Sequence, residues 1–175
     1  SQKMNRSKSK KKILVLTTNR SDYGLFRKLI LGIKKTKKLD LKLVVAGSHL
    51  LKKYGHSINE IKKDKIPIFK TISSNYVGDS KMAISQYNID MAKKFNKILS
   101  KNNFDIVLVL GDRSEILFCS GLSLIYNYKL AHFHGGETTK GVIDNQVRNA
   151  VSQLSDFHFA SHADYREKLL RMGID

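Results

Sequence analysis

Short apolar runs alternate with longer segments of helical periodicity along almost the whole chain. The runs hold few polar residues, which is typical of strands covered on both faces. The six runs that we interpret as strands are residues 12–18, 41–47, 66–72, 104–112, 129–136 and 156–161. Strict alternation of strand and helix predicts an α/β fold, a doubly wound, Rossmann-like parallel sheet with right-handed crossovers.

Apolar residues three or four positions apart predict amphipathic helices between these strands. This spacing is present at Leu25, Phe26, Leu29, Ile30 and Ile33, and again at Ile143, Val147, Val151 and Leu154. Further helices are predicted over 49–64, within 80–102, and over 114–127 and 162–173. We predict a basic flexible tail over residues 1–12 and one domain over residues 13–175.

The formal net charge of +17 raises the question of a nucleic-acid partner. Residues 1–70 hold 20 Lys and Arg against 4 Asp and Glu, whereas residues 71–175 hold 12 against 11. A nucleic-acid site would need this charge on one face, ideally beside stacking aromatic side chains. The lysines fall instead on predicted helix ends and solvent faces. We therefore favour a lysine-rich surface that attracts anionic substrates over a module that binds nucleic acid or another polyanion.

Cysteine content and hydropathy limit the class of protein further. Cys119 is the only cysteine, which excludes an internal disulfide and a cysteine-rich metal site. No apolar run approaches the roughly eighteen residues of a membrane span. The basic first residues lack the apolar segment of a secretion signal. These features predict a cytoplasmic protein without a membrane partner.

Ligands of doubly wound sheets bind beyond the carboxyl ends of the strands. The loops predicted at that edge are TTNRSDYG, GSHL, GDR and HFHGGETTKGVID. The first lacks the glycine patterns of dinucleotide and phosphate-binding loops, which disfavours nicotinamide, flavin and ATP as cofactors. It offers Arg20 and a helix start near Ser21 or Asp22, which is either an anion cradle or a plain helix cap.

Three acids, Asp112, Glu137 and Asp144, fall on neighbouring loops of this edge. If they converge, mutual repulsion would separate their pKa values and prepare one as an acid and another as a base. That chemistry suits proton movement at a sugar carbon, and hydrolysis of a glycosidic bond would also fit. Asp144 and Arg148 are alternatively an ordinary i,i+4 pair.

Two histidines, His132 and His134, alternate along the end of the fifth predicted strand. We interpret one of them as a core histidine with satisfied hydrogen bonds. Together with scattered acids they lack the compact spacing of a zinc site, so no metal is expected.

Five segments together resemble the hydrolysing UDP-N-acetylglucosamine 2-epimerases, in that family's order. They are TNRSDYGL, GSHLLKKYG, VLGDRSE, HFHGGETTKGVID and LSDFHFASHADYREKLLRMG. The resemblance implies the N-terminal half of a glycosyltransferase-B-like fold with its active site in an interdomain cleft. It also implies elimination of UDP from a UDP-linked 2-acetamido sugar, followed by hydration to the C2-inverted free sugar. N-acetylmannosamine is the typical product, for sialic-acid or legionaminic-acid synthesis.

Residue by residue, the resemblance implies acid and base roles for Asp112, Glu137 and Asp144. It implies contacts with the substrate or its diphosphate for Arg20, Arg113 and Arg148, and places His49 and His134 along the cleft. It requires no cofactor or metal, because arginines and backbone amides can stabilise the leaving diphosphate.

Two positions depart from the family pattern, since Asn145 stands where a second acid is common and Asn149 where a histidine is common. These departures suggest slower turnover or a related substrate, such as a diacetamido sugar. The resemblance also implies a missing C-terminal domain, so the 175 residues alone are expected to be inactive, and the full-length protein is expected to be a homo-oligomer. A nonhydrolysing epimerase, which returns the sugar nucleotide, is the second enzymatic alternative.

Overall fold

The computed structural model describes residues 9–133 and 143–160, together with residues 163 and 167. Within these ranges, six strands form one sheet in which every pairing is parallel. The strands are β1 (Lys11–Thr17), β2 (Leu39–Ala46), β3 (Ile68–Ile72), β4 (Ile106–Leu110), β5 (Lys129–Phe133) and β6 (Phe157–Phe159). Their order is β3-β2-β1-β4-β5-β6. The predicted doubly wound sheet is confirmed.

Helices cover both faces of this sheet. They are α1 (Arg20–Lys35), α2 (Ile58–Lys63), α3 (Lys81–Ser100), α4 (Ser114–Ile125) and α5 (Asp144–Leu154). Apolar side chains of α1 and α2 pack against one face, and those of α3, α4 and α5 against the other. β1 serves both cores because its side chains alternate: Val15 faces α1, whereas Leu14 and Leu16 face the opposite layer.

The predicted helix over 49–64 is wrong, because the structure divides this segment. Two short 3-10 turns, Gly47–Leu50 and Lys52–Tyr54, precede α2. Gly55 has φ +79° and His56 has φ +49°, so the backbone turns left-handed between the second turn and α2. A left-handed step cannot continue an α-helix, and glycine adopts it without a steric cost.

The predicted inner faces of α1 and α5 are each wrong at one residue. Leu25 is 66% exposed, and Tyr23 takes the buried place beside Phe26. Ile143 caps α5 and is 49% exposed, whereas Val147 and Val151 are buried as predicted. Tyr23 lies three residues before Phe26 and so shares its face of α1, whereas Leu25 is adjacent to Phe26 and points away from that face. Ile143 precedes the first residue of α5 and so lies outside its inner stripe.

The predicted terminal segments lie largely outside the described residues. Of the basic tail over residues 1–12, residues 1–8 are outside them, and β1 already begins at Lys11. The helix predicted over 162–173 is outside them except for residues 163 and 167.

Candidate functional site

The sheet reverses its strand order between β1 and β4, which is where doubly wound sheets bind ligands. Beyond the carboxyl ends of these strands lie the first turns of α1 and α4. β5 adjoins β4, and α5 packs beside α4 on one face of the sheet. Most of the site residues predicted from the sequence that lie within the described ranges are found along this edge.

Asp112 follows β4 and forms an ion pair with the Nη2 atom of Arg148 on α5. The Arg148 side chain is 2% exposed, and that of Asp112 is 20% exposed. Arg148 Nη1 also donates to Asn145 Oδ1 at 3.3 Å, so the residue that departs from the family pattern helps to orient the guanidinium. Asp144 is half-buried and begins α5 one turn before Arg148. This arrangement holds a carboxylate at the sheet edge against a buried cation.

Arg113 caps α4 and is kept in place by a glutamate that the sequence analysis did not single out. Its Nε atom lies 3.3 Å from Glu115 Oε1, and the Glu115 side chain is only 3% exposed. The Tyr87 hydroxyl donates to the same oxygen at 3.5 Å. The Arg113 side chain is 56% exposed, so it can reach an anion in solvent while Glu115 anchors it. The sequence signal for Glu115 was an acid in the first helical turn after the GDR motif. Such an acid also interacts favourably with the helix dipole, so the signal was not specific.

Arg20 is the first residue of α1, and its side chain is 70% exposed. Its Nε atom pairs with Glu60 Oε1 at 2.8 Å. The helix starts at Arg20, close to the expected Ser21 or Asp22. The alternative of a plain cap at Ser21 or Asp22 does not hold, because Asn19 is the cap and its Oδ1 accepts from the Asp22 amide at 2.9 Å. A helix N-terminus beside an exposed guanidinium is suited to anion binding.

Asp22 is a second acid that the sequence analysis did not assign to the site. Its Oδ2 accepts from Asn19 Nδ2 at 2.5 Å. A Cβ atom placed on Gly111 would lie 2.7 Å from that same oxygen, so this carboxyl packs against the turn that leads into Asp112. The signal was weak, because an aspartate in a first helical turn is also a common capping residue.

Two buried histidines, His132 and His49, form hydrogen bonds in the protein interior next to this edge. His132 lies 2.8 Å from the Gly111 carbonyl oxygen through Nε2 and 3.2 Å from Ser152 Oγ through Nδ1. His49 lies 2.9 Å from Thr17 Oγ1 and 2.8 Å from Ser57 Oγ. Both rings are fully buried, and burial lowers the pKa of His49 to about 4. The interpretation of one strand-end histidine as a satisfied core residue is confirmed at His132.

His49 therefore ties β1 to the segment before α2, and its predicted place along the cleft stays a prediction. Glu137 and His134 lie outside the described residues, so the predicted convergence of Asp112, Glu137 and Asp144 stays a prediction. Among the residues that are described, no three His, Cys, Asp or Glu side chains form a group that could hold a metal ion. None of the described helices is long and apolar enough to cross a membrane.

Residues 32–175 match the family model described as UDP-N-acetylglucosamine 2-epimerase. The chain is 33% identical over 163 residues to a hydrolysing UDP-N,N'-diacetylbacillosamine 2-epimerase of Legionella pneumophila, covering 93% of this chain and 43% of the relative. It is also 33% identical to a hydrolysing GDP/UDP-N,N'-diacetylbacillosamine 2-epimerase of Campylobacter jejuni, covering 94% and 43%.

Among solved structures, the fold is similar to that of UDP-GlcNAc 2-epimerase from Neisseria meningitidis bound to UDP-GlcNAc. The TM-score is 0.80 at 19% identity, covering 94% of this chain and 43% of the other. The chain therefore spans less than half the length of the relatives that it matches.

Proposed function

The chain belongs to the UDP-N-acetylglucosamine 2-epimerase family, and from this premise we propose that its full-length protein is a hydrolysing UDP-sugar 2-epimerase. The observation that carries the proposal is the Asp112 carboxylate, held by the buried Arg148 at the edge where strand order reverses. Exposed cations, Arg20 and Arg113, lie at helix starts of the same edge. A base beside cations is what elimination of a diphosphate needs.

The proposed reaction has two steps, elimination of UDP and hydration of the product. In the first, a carboxylate removes the proton from C2 of the sugar, a C1–C2 double bond forms, and the bond from C1 to the UDP oxygen breaks. In the second, a proton is added to C2 on the opposite face and water supplies the hydroxyl group at C1. The products are UDP and a free sugar with inverted C2.

We assign the acid and base work to Asp112, Glu137 and Asp144, and diphosphate binding to Arg20 and Arg113. His134 completes the proposed contacts with the substrate. Arg148 is buried and paired, so its proposed contribution is to hold the Asp112 carboxyl group in position for the sugar. The exposed fraction of Arg20 and Arg113 supports direct contact with the departing phosphates.

The proposed substrate is a UDP-linked 2-acetamido sugar, and a 2,4-diacetamido sugar is the preferred candidate. The relatives that are 33% identical are described by their names as acting on diacetylbacillosamine nucleotides. The described part of the chain is proposed to be the N-terminal domain, with a second domain closing the cleft. We further propose a cytoplasmic, homo-oligomeric enzyme whose product enters nonulosonic or sialic acid synthesis.

To test the function, we would incubate the full-length protein with UDP-N-acetylglucosamine and with a UDP-2,4-diacetamido sugar, and measure release of UDP and of free sugar. Asp112→Asn is expected to lower kcat on the order of 100-fold or more, because it removes a positioned base or acid. A product that keeps its UDP would contradict hydrolysis and identify a nonhydrolysing epimerase.

Asp105→Asn is the matched control for this experiment. Asp105 lies next to the opposite end of β4, where its carboxylate contacts the Lys11 side chain and the Lys12 amide. The substitution removes the same charge from the same strand without touching the proposed site. Equal losses of activity in the two variants would contradict a specific role for Asp112.

A further inference from the structure

The Asp22 carboxyl group meets the turn before Asp112 although the two residues are on different elements. A Cβ atom on Gly111 would lie 2.7 Å from Asp22 Oδ2 and 3.0 Å from Oδ1. Gly111 has φ +84°, which a residue with a side chain rarely adopts. The absence of a side chain at Gly111 thus leaves room for the Asp22 carboxyl group against the residue that precedes Asp112.

The charges around Asp22 come from the turn after β4 and from the start of α4. Asp112 and Glu115 are negative neighbours, and Arg113 is the positive one. Within the described part of the chain, Asp112 is paired with Arg148 and Glu115 with Arg113. Asp22 makes no salt bridge with any of the described residues, and its side chain accepts a hydrogen bond from the neutral amide of Asn19.

Asp22 lacks the arginine partner that Asp112 and Glu115 each have, and this difference makes Asp22 the acid that holds a proton. Burial raises the pKa of Asp22 to about 7, and the negative charges of Asp112 and Glu115 act in the same direction. Hydrogen bonding from Asn19 and the charge of Arg113 oppose the rise. Neighbouring negative charges disfavour ionisation of a carboxyl group, and Asp22 has no paired cation among the described residues to offset them.

We propose that Asp22 is a positioning residue for Asp112, which it serves by staying in its neutral acid form beside the Gly111 turn. In that form it fills the space next to Asp112 without repelling it, so that the carboxylate stays against Arg148. If Asp22 ionises, its negative charge repels that of Asp112 and opposes the attraction between Asp112 and Arg148. The kinetic consequence rests on the proposed function, whereas the neutral state of Asp22 does not.

The kinetic experiment measures kcat/KM for UDP release by the full-length protein between pH 5.5 and 9. Wild type is expected to lose activity as pH rises through about 7, where Asp22 ionises. Asp22→Asn has the same shape and stays neutral, so it is expected to keep activity above that pH. Asp22→Ala removes the packing and is expected to lower kcat/KM on the order of 100-fold at every pH. An Asp22→Asn profile that falls with the same midpoint as wild type would overturn the proposal.

Asp90→Asn is the matched control, because it removes an aspartate charge from α3, where Asp90 pairs with Lys94. Its profile is expected to match that of wild type. A control that loses the same ionisation as Asp22→Asn would also overturn the assignment of that ionisation to Asp22.

A second measurement, thermal stability against pH, does not depend on turnover. A carboxyl group whose folded pKa is raised loses its stabilising effect as pH rises from the ordinary value of 3.8 to about 7. The Tm of Asp22→Asn relative to wild type is therefore expected to increase between pH 5 and pH 8. A constant difference would overturn the neutral state of Asp22. If the pH-dependent difference is present but wild type releases no UDP, only the proposed function and its kinetic consequence fail.

Discussion

At the scale of single residues, the site depends on the pairing of a buried arginine, Arg148, with a partly exposed carboxylate, Asp112. Arg148 is almost wholly inside the protein, whereas Asp112 keeps part of its surface in solvent. Burying a guanidinium is costly unless a carboxylate compensates it with good geometry. The pair therefore makes the position of Asp112 a condition of folding as well as of the proposed chemistry.

This coupling predicts a non-additive response to mutation. Asp112→Ala is expected to destabilise the fold by about 3 kcal/mol, because it removes the carboxylate that pairs with the buried Arg148 Nη2. Arg148→Met alone removes the charge that needs compensation, and the double variant is expected to recover most of the loss. Denaturant unfolding of the four proteins in a double-mutant cycle measures the coupling. Strictly additive free energies would contradict a compensating pair.

At the scale of elements, a glycine with a left-handed backbone follows two of the strands, Gly47 after β2 and Gly111 after β4. Gly47 ends β2 with φ +62°, and a Cβ atom there would lie 2.6 Å from the Thr18 carbonyl oxygen and 2.8 Å from the Tyr87 hydroxyl. This close approach holds the β2 and β1 ends together, and the Ser48 amide donates to the same Thr18 oxygen at 2.9 Å. The edge that carries the site is compact because that glycine has no side chain.

A pair of alanine variants tests this account. Gly47→Ala is expected to destabilise the fold by about 2 kcal/mol or more, from the left-handed backbone and the clash together. Gly32→Ala is the control, since Gly32 lies within α1 and a Cβ atom there meets nothing within 4 Å. It is expected to stabilise by roughly 0.5–1 kcal/mol through higher helix propensity. Similar losses of stability in both variants would contradict the steric argument at Gly47.

At the scale of the whole molecule, the described domain is proposed to be one side of a cleft. Its relatives are more than twice as long, and the chain covers 43% of them. In this proposal, a second domain supplies the other side of the cleft around a substrate at the carboxyl edge of this sheet. The net charge of +17 fits an anionic substrate, but the lysines also form ordinary surface pairs, such as Lys94 with Asp90 and Lys129 with Asp156.

The expectation at this scale is that the 175 residues alone release UDP no faster than a blank, while the full-length protein turns over. Because positioning supplies much of a catalytic rate, half of a cleft is not sufficient. A coupled assay for UDP on both proteins at equal concentration makes the comparison. Turnover by the short chain would contradict the two-domain proposal. Tight, steeply salt-dependent DNA binding would favour the polyanion-binding alternative instead.

The sequence by itself determined the class of fold, because strand and helix periodicities are local and the buried runs are unambiguous. It also placed Asp112, Arg113 and Arg20 at one edge, since the carboxyl ends of parallel strands lie together. It failed at the segment before α2, where Gly55 and His56 reverse the backbone within an otherwise helical pattern.

Only the tertiary structure decided which polar groups meet. The ion pair of Asp112 with Arg148 joins residues 36 positions apart, and the contact of Asp22 with Gly111 joins α1 to the turn after β4. Such contacts depend on how strands are ordered and how far each helix is rotated, which local periodicity does not encode. For the same reason, only the structure showed that His132 is the core histidine expected at that strand end and that His49 is buried between Thr17 and Ser57.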